Sequence, residues 1–145
     1  MAAVEPLPGT DRRVGAPAGT VAWAWRALAA LVVAVSGVVH VWLVASEGYG
    51  GGTGNWLATA FWLQGVGGIV LVVLLLVWRS PLPLLGAVAF GVGTLVGFLL
   101  AVYLPDGLFG VRSIWGGWPE WVSAVTEALA VVAGVAALVA ERARR

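Results

Sequence analysis

Four long apolar runs, separated by short breaks rich in glycine, proline or charge, account for most of the chain. They extend over about Val21 to Ala45, Trp56 to Trp78, Leu82 to Leu104 and Pro119 to Ala140. Each reaches the roughly 20 residues that a helix needs to cross a bilayer core. In hydrocarbon the backbone has to satisfy its own N–H and C=O groups, so such runs become helices. The pattern therefore predicts an all-α fold, a four-helix transmembrane bundle over residues 21–140. A polar segment, 1–20, is expected to be disordered ahead of it, and a basic tail, 141–145, follows. The breaks read as a Gly-rich outer loop "SEGYGGGTGN", a tight turn at Arg79-Ser80-Pro81 and a longer loop "PDGLFGVRSIWGGW". The first run exceeds the 7 to 15 apolar residues of a signal peptide, so it is expected to stay as a span.

Small residues inside the runs point to packing surfaces, because helices in lipid associate where backbones approach closely. Ala89, Gly93, Gly97 and Ala101 recur every four residues in the third run and predict a close helix–helix contact, within the bundle or in a homodimer. Ala60, Gln64 and Gly68 share that spacing in the second run. In the fourth, Glu120, Ser123, Glu127, Ala130 and Gly134 fall on one stripe, and in the first, Ser36 and His40 stand one turn apart beside Gly37.

Orientation comes from arginine. Basic residues flanking spans are retained in the cytoplasm, and Arg12, Arg13, Arg26, Arg79, Arg142, Arg144 and Arg145 fall on one side of a four-span topology against Arg112 on the other. Both termini are thus expected in the cytoplasm, with the protein in the inner membrane of a bacterium. Aromatic belts agree: Trp23, Trp25 and Trp78 at the inner interface, and Trp56, Trp115, Trp118 and Trp121 with Tyr49 and Tyr103 at the outer one.

Composition narrows the chemistry further. The 145 residues are 61% hydrophobic and 10% charged, with a net charge of +1, which sets nucleic acid aside as a partner and leaves the lipid bilayer. Absence of cysteine removes disulfides, thiol catalysis and thiolate metal sites. A single histidine rules out bis-histidine haem within one chain, and His40 with Glu127 supplies two ligands where catalytic zinc takes three, so no metal is assigned. The glycines of 48–54 follow no strand and lack the lysine of a phosphate loop.

Depth ties the polar residues together. His40, Gln64, Thr94 and Glu127 each lie about six to nine residues from the outer ends of their spans. At about 1.5 Å per residue all four fall about 9 to 14 Å below the outer interface. A carboxylate at that depth costs at least about 2.5 to 3.5 kcal/mol on insertion scales, so Glu127 is expected to face inwards and to meet a partner. A His40–Glu127 hydrogen bond, completed by Gln64, Ser123 and Ser36, is the economical solution, with Thr94 bonding its own helix. Glu47, Asp106, Arg112 and Glu120 are expected to ring the mouth, Arg112 neutralising one carboxylate. Trp42, Trp62 and Phe98 are candidate walls. Such a site suits a small apolar or amphipathic ligand, quinone- or lipid-like, with proton transfer. The alternative is a non-catalytic accessory subunit of a membrane complex, its Gly/Ala stripe a docking surface for a partner. Neither reading specifies a cofactor or a catalytic residue.

The order Ser36-Gly37-Val-Val-His40 in the first span, Phe61-Trp-Leu-Gln64-Gly in the second and Glu127 in the last resembles the small, largely uncharacterised four-span integral membrane proteins of high-GC bacteria. The resemblance covers about residues 26–140. In size and topology the chain is more distantly similar to DoxX-like membrane proteins. The first likeness implies that the His, Gln and Glu form a common interior feature.

Overall fold

The computed structural model describes residues 18–46 and 56–144. Within them lie four helices, α1 (Ala18–Ser46), α2 (Trp56–Val77), α3 (Leu82–Tyr103) and α4 (Trp118–Arg142). All four are long and apolar enough to cross a membrane. Their bounds fall within three residues of those read from the apolar runs. Arg12, Arg13, Arg145, Glu47, Tyr49 and the glycines of 48–54 lie outside the described residues.

Punctuation sets the ends. Ser80 and Pro81 stop α2 and start α3, Ser80 Oγ accepting the Leu82 amide at 3.3 Å, and Pro83 stands in the first turn where a missing N–H does no harm. α4 opens with Pro119 in its first turn and with the Glu120 carboxylate accepting the Gly117 amide at 2.9 Å. That is half of a capping box, placed where the helix dipole favours negative charge.

The helices line up in the order α2, α1, α4, α3, so that α1 and α4 form the centre and α2 and α3 the flanks. Half of α1's most apolar window is buried, 50%, against 17% for α2 and for α3. Glycines mark where backbones meet. Gly37 of α1 faces Gly65 and Gly68 of α2, and a Cβ on Gly65 would collide with Val41. Gly91 of α3 lies against α4, where a Cβ would come within 2.5 Å of the Glu127 carbonyl oxygen.

Two halves result. Towards the end that carries the termini, Ala29, Val32 and Val33 of α1 pack with Leu75 of α2, Leu84 and Ala87 of α3 and Ala130, Ala133 and Ala137 of α4 into a continuous core. Towards the opposite end, a cavity opens between α2 and α3. The connection 104–117 folds over this opening as a tight hairpin, Leu108 and Val111 exchanging amide hydrogen bonds at 2.9 and 3.0 Å. Phe109 (φ 50°) and Gly110 (φ 82°) both take positive φ at its tip, as a two-residue turn of this hand requires. Phe109 packs edge-on against Trp56 of α2, and Trp115 against Phe98 of α3, strapping the two flanks together.

Candidate functional site

The opening between α2 and α3 is a cavity of about 360 Å³. Its wall on α3 is the stripe Ala89, Gly93, Gly97 and Ala101. Within the chain, then, this stripe does not seat a neighbouring helix, which corrects the expectation of a close contact inside the bundle. A Cβ on Gly93 would meet nothing within 4 Å, and one on Gly97 only the side chain of Leu108 at 3.7 Å. The close approach of α3 uses the neighbouring face instead, through Leu84, Ala87 and Gly91. Small residues at a spacing of four hold a void open here as readily as they would seat a helix.

The floor of the cavity is polar, and the residues expected at one depth do converge on it. His40, Gln64, Thr94, Ser123 and Glu127 all line the space. They form two groups. On the flank, Gln64 Nε2 donates to Thr94 Oγ1, and the threonine hydroxyl in turn donates to the Phe90 carbonyl of its own helix at 2.8 Å. At the centre, Glu127 is 1% exposed. Ser36 Oγ donates to its Oε1 over a long 3.4 Å, and His40 Nε2 stands 3.9 Å from the same oxygen. The expected direct His40–Glu127 hydrogen bond is therefore absent, 3.9 Å being beyond hydrogen-bond reach. Gln64 likewise turns to Thr94 rather than to Glu127, because α2 and α4 are not neighbours in the bundle.

The tautomer of His40 follows from chemistry. Its Nδ1 lies 2.8 Å from the Ser36 carbonyl oxygen, which can only accept, so Nδ1 carries a hydrogen. Nε2 then faces Glu127 Oε1 either as a lone pair opposite a protonated carboxyl or as N–H opposite a carboxylate. Both states hold the same number of protons, and the 3.9 Å gap leaves the two groups too far apart to share one directly. The Phe61 ring, edge-on at 5.0 Å, fixes the imidazole plane.

Three polar atoms at this floor lack a hydrogen-bond partner among the described residues. Glu127 Oε2 and Ser123 Oγ are buried without one, and His40 Nε2 has only its 3.9 Å approach to Glu127. Buried polar groups are almost always paired, so these atoms call for partners that the described residues do not supply.

Around the mouth, Trp56, Leu108, Arg112 and Glu120 line the upper part. Arg112 is exposed and forms no ion pair with a described residue, so the expected neutralisation of a mouth carboxylate is not made; Glu120 caps α4 and Asp106 is exposed. Of the aromatic walls proposed from sequence, Phe98 lines the cavity. Trp62 faces outward at 48% exposed, and Trp42 stacks on Trp118 at 4.8 Å.

Arg26, read from sequence as an interfacial charge, is instead buried, 1% exposed. Its Nε and Nη2 donate to Glu141 Oε1 at 3.0 and 2.7 Å. Nη1 donates to the Leu75 and Trp78 carbonyls at 3.2 and 3.0 Å, and Nη2 to that of Ser80 at 2.9 Å. Every N–H of the guanidinium is used. The available signal was an arginine inside the first apolar run, which has to find a carboxylate or carbonyls at its own depth.

The chain matches no protein-family model, no curated protein and no solved structure in the comparisons made. Fold and site define a class on their own terms: an all-α protein with four helices apolar enough to span a membrane, and a polar-floored cavity between its two flanking helices.

Proposed function

We propose that this protein binds a small amphipathic molecule of quinone or lipid class in the cavity between α2 and α3. The polar head of the ligand meets Glu127, Ser123 and His40, and its apolar body lies along Ala89, Gly93, Gly97 and Ala101. From Ala89 to Ala101 that track runs about 18 Å at 1.5 Å per residue, the length of an isoprenoid or acyl segment. The observation that carries the reading is the set of unpartnered polar atoms at the floor of an otherwise apolar cavity. Ser36 orients the carboxylate, and the His40–Glu127 pair exchanges one proton with the head group. We place the protein in the bacterial inner membrane with both termini cytoplasmic, which sets the site in the outer half of the bilayer; the arginine distribution supports this orientation.

The test is purification in mild detergent followed by mass spectrometry of co-purifying small molecules, for the wild type, His40→Ala, Glu127→Gln and Gly93→Leu. An amphipathic species present in the wild type and lost in all three supports the assignment. No small molecule in the wild type, with a membrane-protein partner retained by the two polar-site variants, would instead favour an accessory subunit.

A further inference from the structure

At the end of the bundle that carries the termini lies a second cavity, of about 500 Å³, unrelated to the first. Gly19, Trp23 and Arg26 of α1, Arg79 of the α2–α3 turn, and Glu141 and Arg144 at the end of α4 bound it. Three guanidinium groups therefore face one carboxylate, an excess of two positive charges (three minus one). Arg26 and Glu141 are consumed by each other and by the carbonyls that Arg26 caps. The side chains of Arg79 and Arg144 form no hydrogen bond or ion pair with any described residue.

The position of Arg144 sharpens this. Its Nη2 lies 3.3 Å from where a Cβ on Gly19 would stand, so the guanidinium rests on the first turn of α1. The first N–H groups of a helix are unpaired within it and its dipole is positive there, so a cation at that place is repelled, and among the described residues no carboxylate pairs with Arg144. An anion seated between Arg79, Arg144 and the opening of α1 would answer all of these groups at once. Phosphate suits the planar donor pairs of two arginines.

The surroundings select the carrier of that phosphate. Trp23, which lines the cavity, is 43% exposed, and Val77 and Trp78, which directly precede Arg79 in the chain, are 71% and 48% exposed. Acyl chains cover such a surface and a free phosphate leaves it bare, and basic pockets between spanning helices recur as sites for anionic head groups. We infer that the cavity at the terminal end of α1 and α4 binds the phosphate of an anionic phospholipid through Arg79 and Arg144, with Trp23 at the head-group level. This holds whichever face of the membrane that end occupies.

The experiment is thermal unfolding of the full chain in mild detergent with added phosphatidylglycerol, phosphatidylcholine or inorganic phosphate. Phosphatidylglycerol should raise the midpoint in a saturable way, and the other two at equal concentration should not. An Arg79→Gln/Arg144→Gln double variant should lose that rise while unfolding at the wild-type midpoint in phosphatidylcholine, since neither side chain bonds to a described residue. The inference is overturned if phosphatidylcholine stabilises equally, if inorganic phosphate reproduces the effect and so identifies a soluble ligand, if phosphatidylglycerol has no effect, or if the double variant keeps the rise.

Discussion

Arg26 and Glu127 are both fully buried ionisable residues, and their hydrogen bonds assign them opposite roles. Arg26 spends all five N–H groups on Glu141 and on three backbone carbonyls, those of Leu75, Trp78 and Ser80. The Leu75 carbonyl belongs to the last turn of α2, where the helix has no acceptor use for it, and Trp78 and Ser80 follow in the turn to α3. The residue thus joins α1, the α2–α3 turn and α4 into one unit. Removing it leaves the Glu141 carboxylate and three carbonyls without their donor, at the edge of a cavity that Arg79 and Arg144 also line. Arg26→Gln should therefore lower stability by about 1 to 3 kcal/mol, and Arg26→Lys should rescue little, because an ammonium offers three donors without the planar fork. Thermal unfolding in detergent measures both; a midpoint for Arg26→Gln equal to that of the wild type would refute the structural role. Glu127, with one oxygen on a 3.4 Å bond and the other unpartnered, is the reverse case. Glu127→Gln keeps the shape and an acceptor for Ser36, so it should unfold close to the wild type while losing the co-purifying ligand. A loss of stability as large as that of Arg26→Gln would mean that Glu127 holds the fold rather than a ligand.

At the scale of the helices, α3 has two small-residue faces that do different things. Through Leu84, Ala87 and Gly91 it touches α4; through Ala89, Gly93, Gly97 and Ala101 it walls a cavity. Alanine substitution separates them. Gly91→Ala sets a methyl group 2.5 Å from a backbone oxygen and 2.9 Å from Val131, so helices must shift, and a cost of about 1 to 3 kcal/mol is expected from overpacking. Gly93→Ala meets nothing within 4 Å and should be neutral or slightly stabilising, since alanine is the better helix former. Equal midpoints for the two variants would contradict this division of faces. The same contrast explains how far the sequence was legible. Helix bounds followed from run length and from Pro81 and Pro119, which act locally. The polar layer followed from the fixed rise of a helix, which places His40, Gln64, Thr94 and Glu127 at one depth before any packing is known. Partners did not follow, because they depend on which helices are neighbours. Gln64 pairs with Thr94 because α2 borders α3 across the cavity, and Glu127 meets Ser36 and His40 because α4 borders α1. Periodicity records that a residue is small and carries no record of whether a backbone or a void lies opposite.

Across the whole molecule, packing and polarity are divided between the two ends. The end with the termini holds the alanine-rich core, the Arg26–Glu141 clamp and the exposed arginines 79, 142 and 144; the other end holds the cavity, its hairpin strap and Arg112. A packed half of this kind is compatible with a cavity between the flanking helices in the other half, since α1 and α4 meet at both ends and the middle, through Arg26–Glu141, Ser36–Glu127 and Trp42–Trp118. The charge division also has a consequence for insertion. If arginines are retained in the cytoplasm, the clamped end is cytoplasmic and the cavity opens in the outer half of the bilayer. A reporter that is active only outside the cytoplasm should then be silent when fused after Arg144 or within the turn at Ser80. It should be active when inserted at the hairpin tip between Phe109 and Gly110, a position that is exposed and outside the helices. The reverse pattern would place the cavity in the inner half, where a ligand would exchange its proton with the cytoplasm. Activity at both the Arg144 and hairpin positions would mean an odd number of spans between Phe109 and the C-terminus failing to form, and would remove α4, and Glu127 with it, from the membrane.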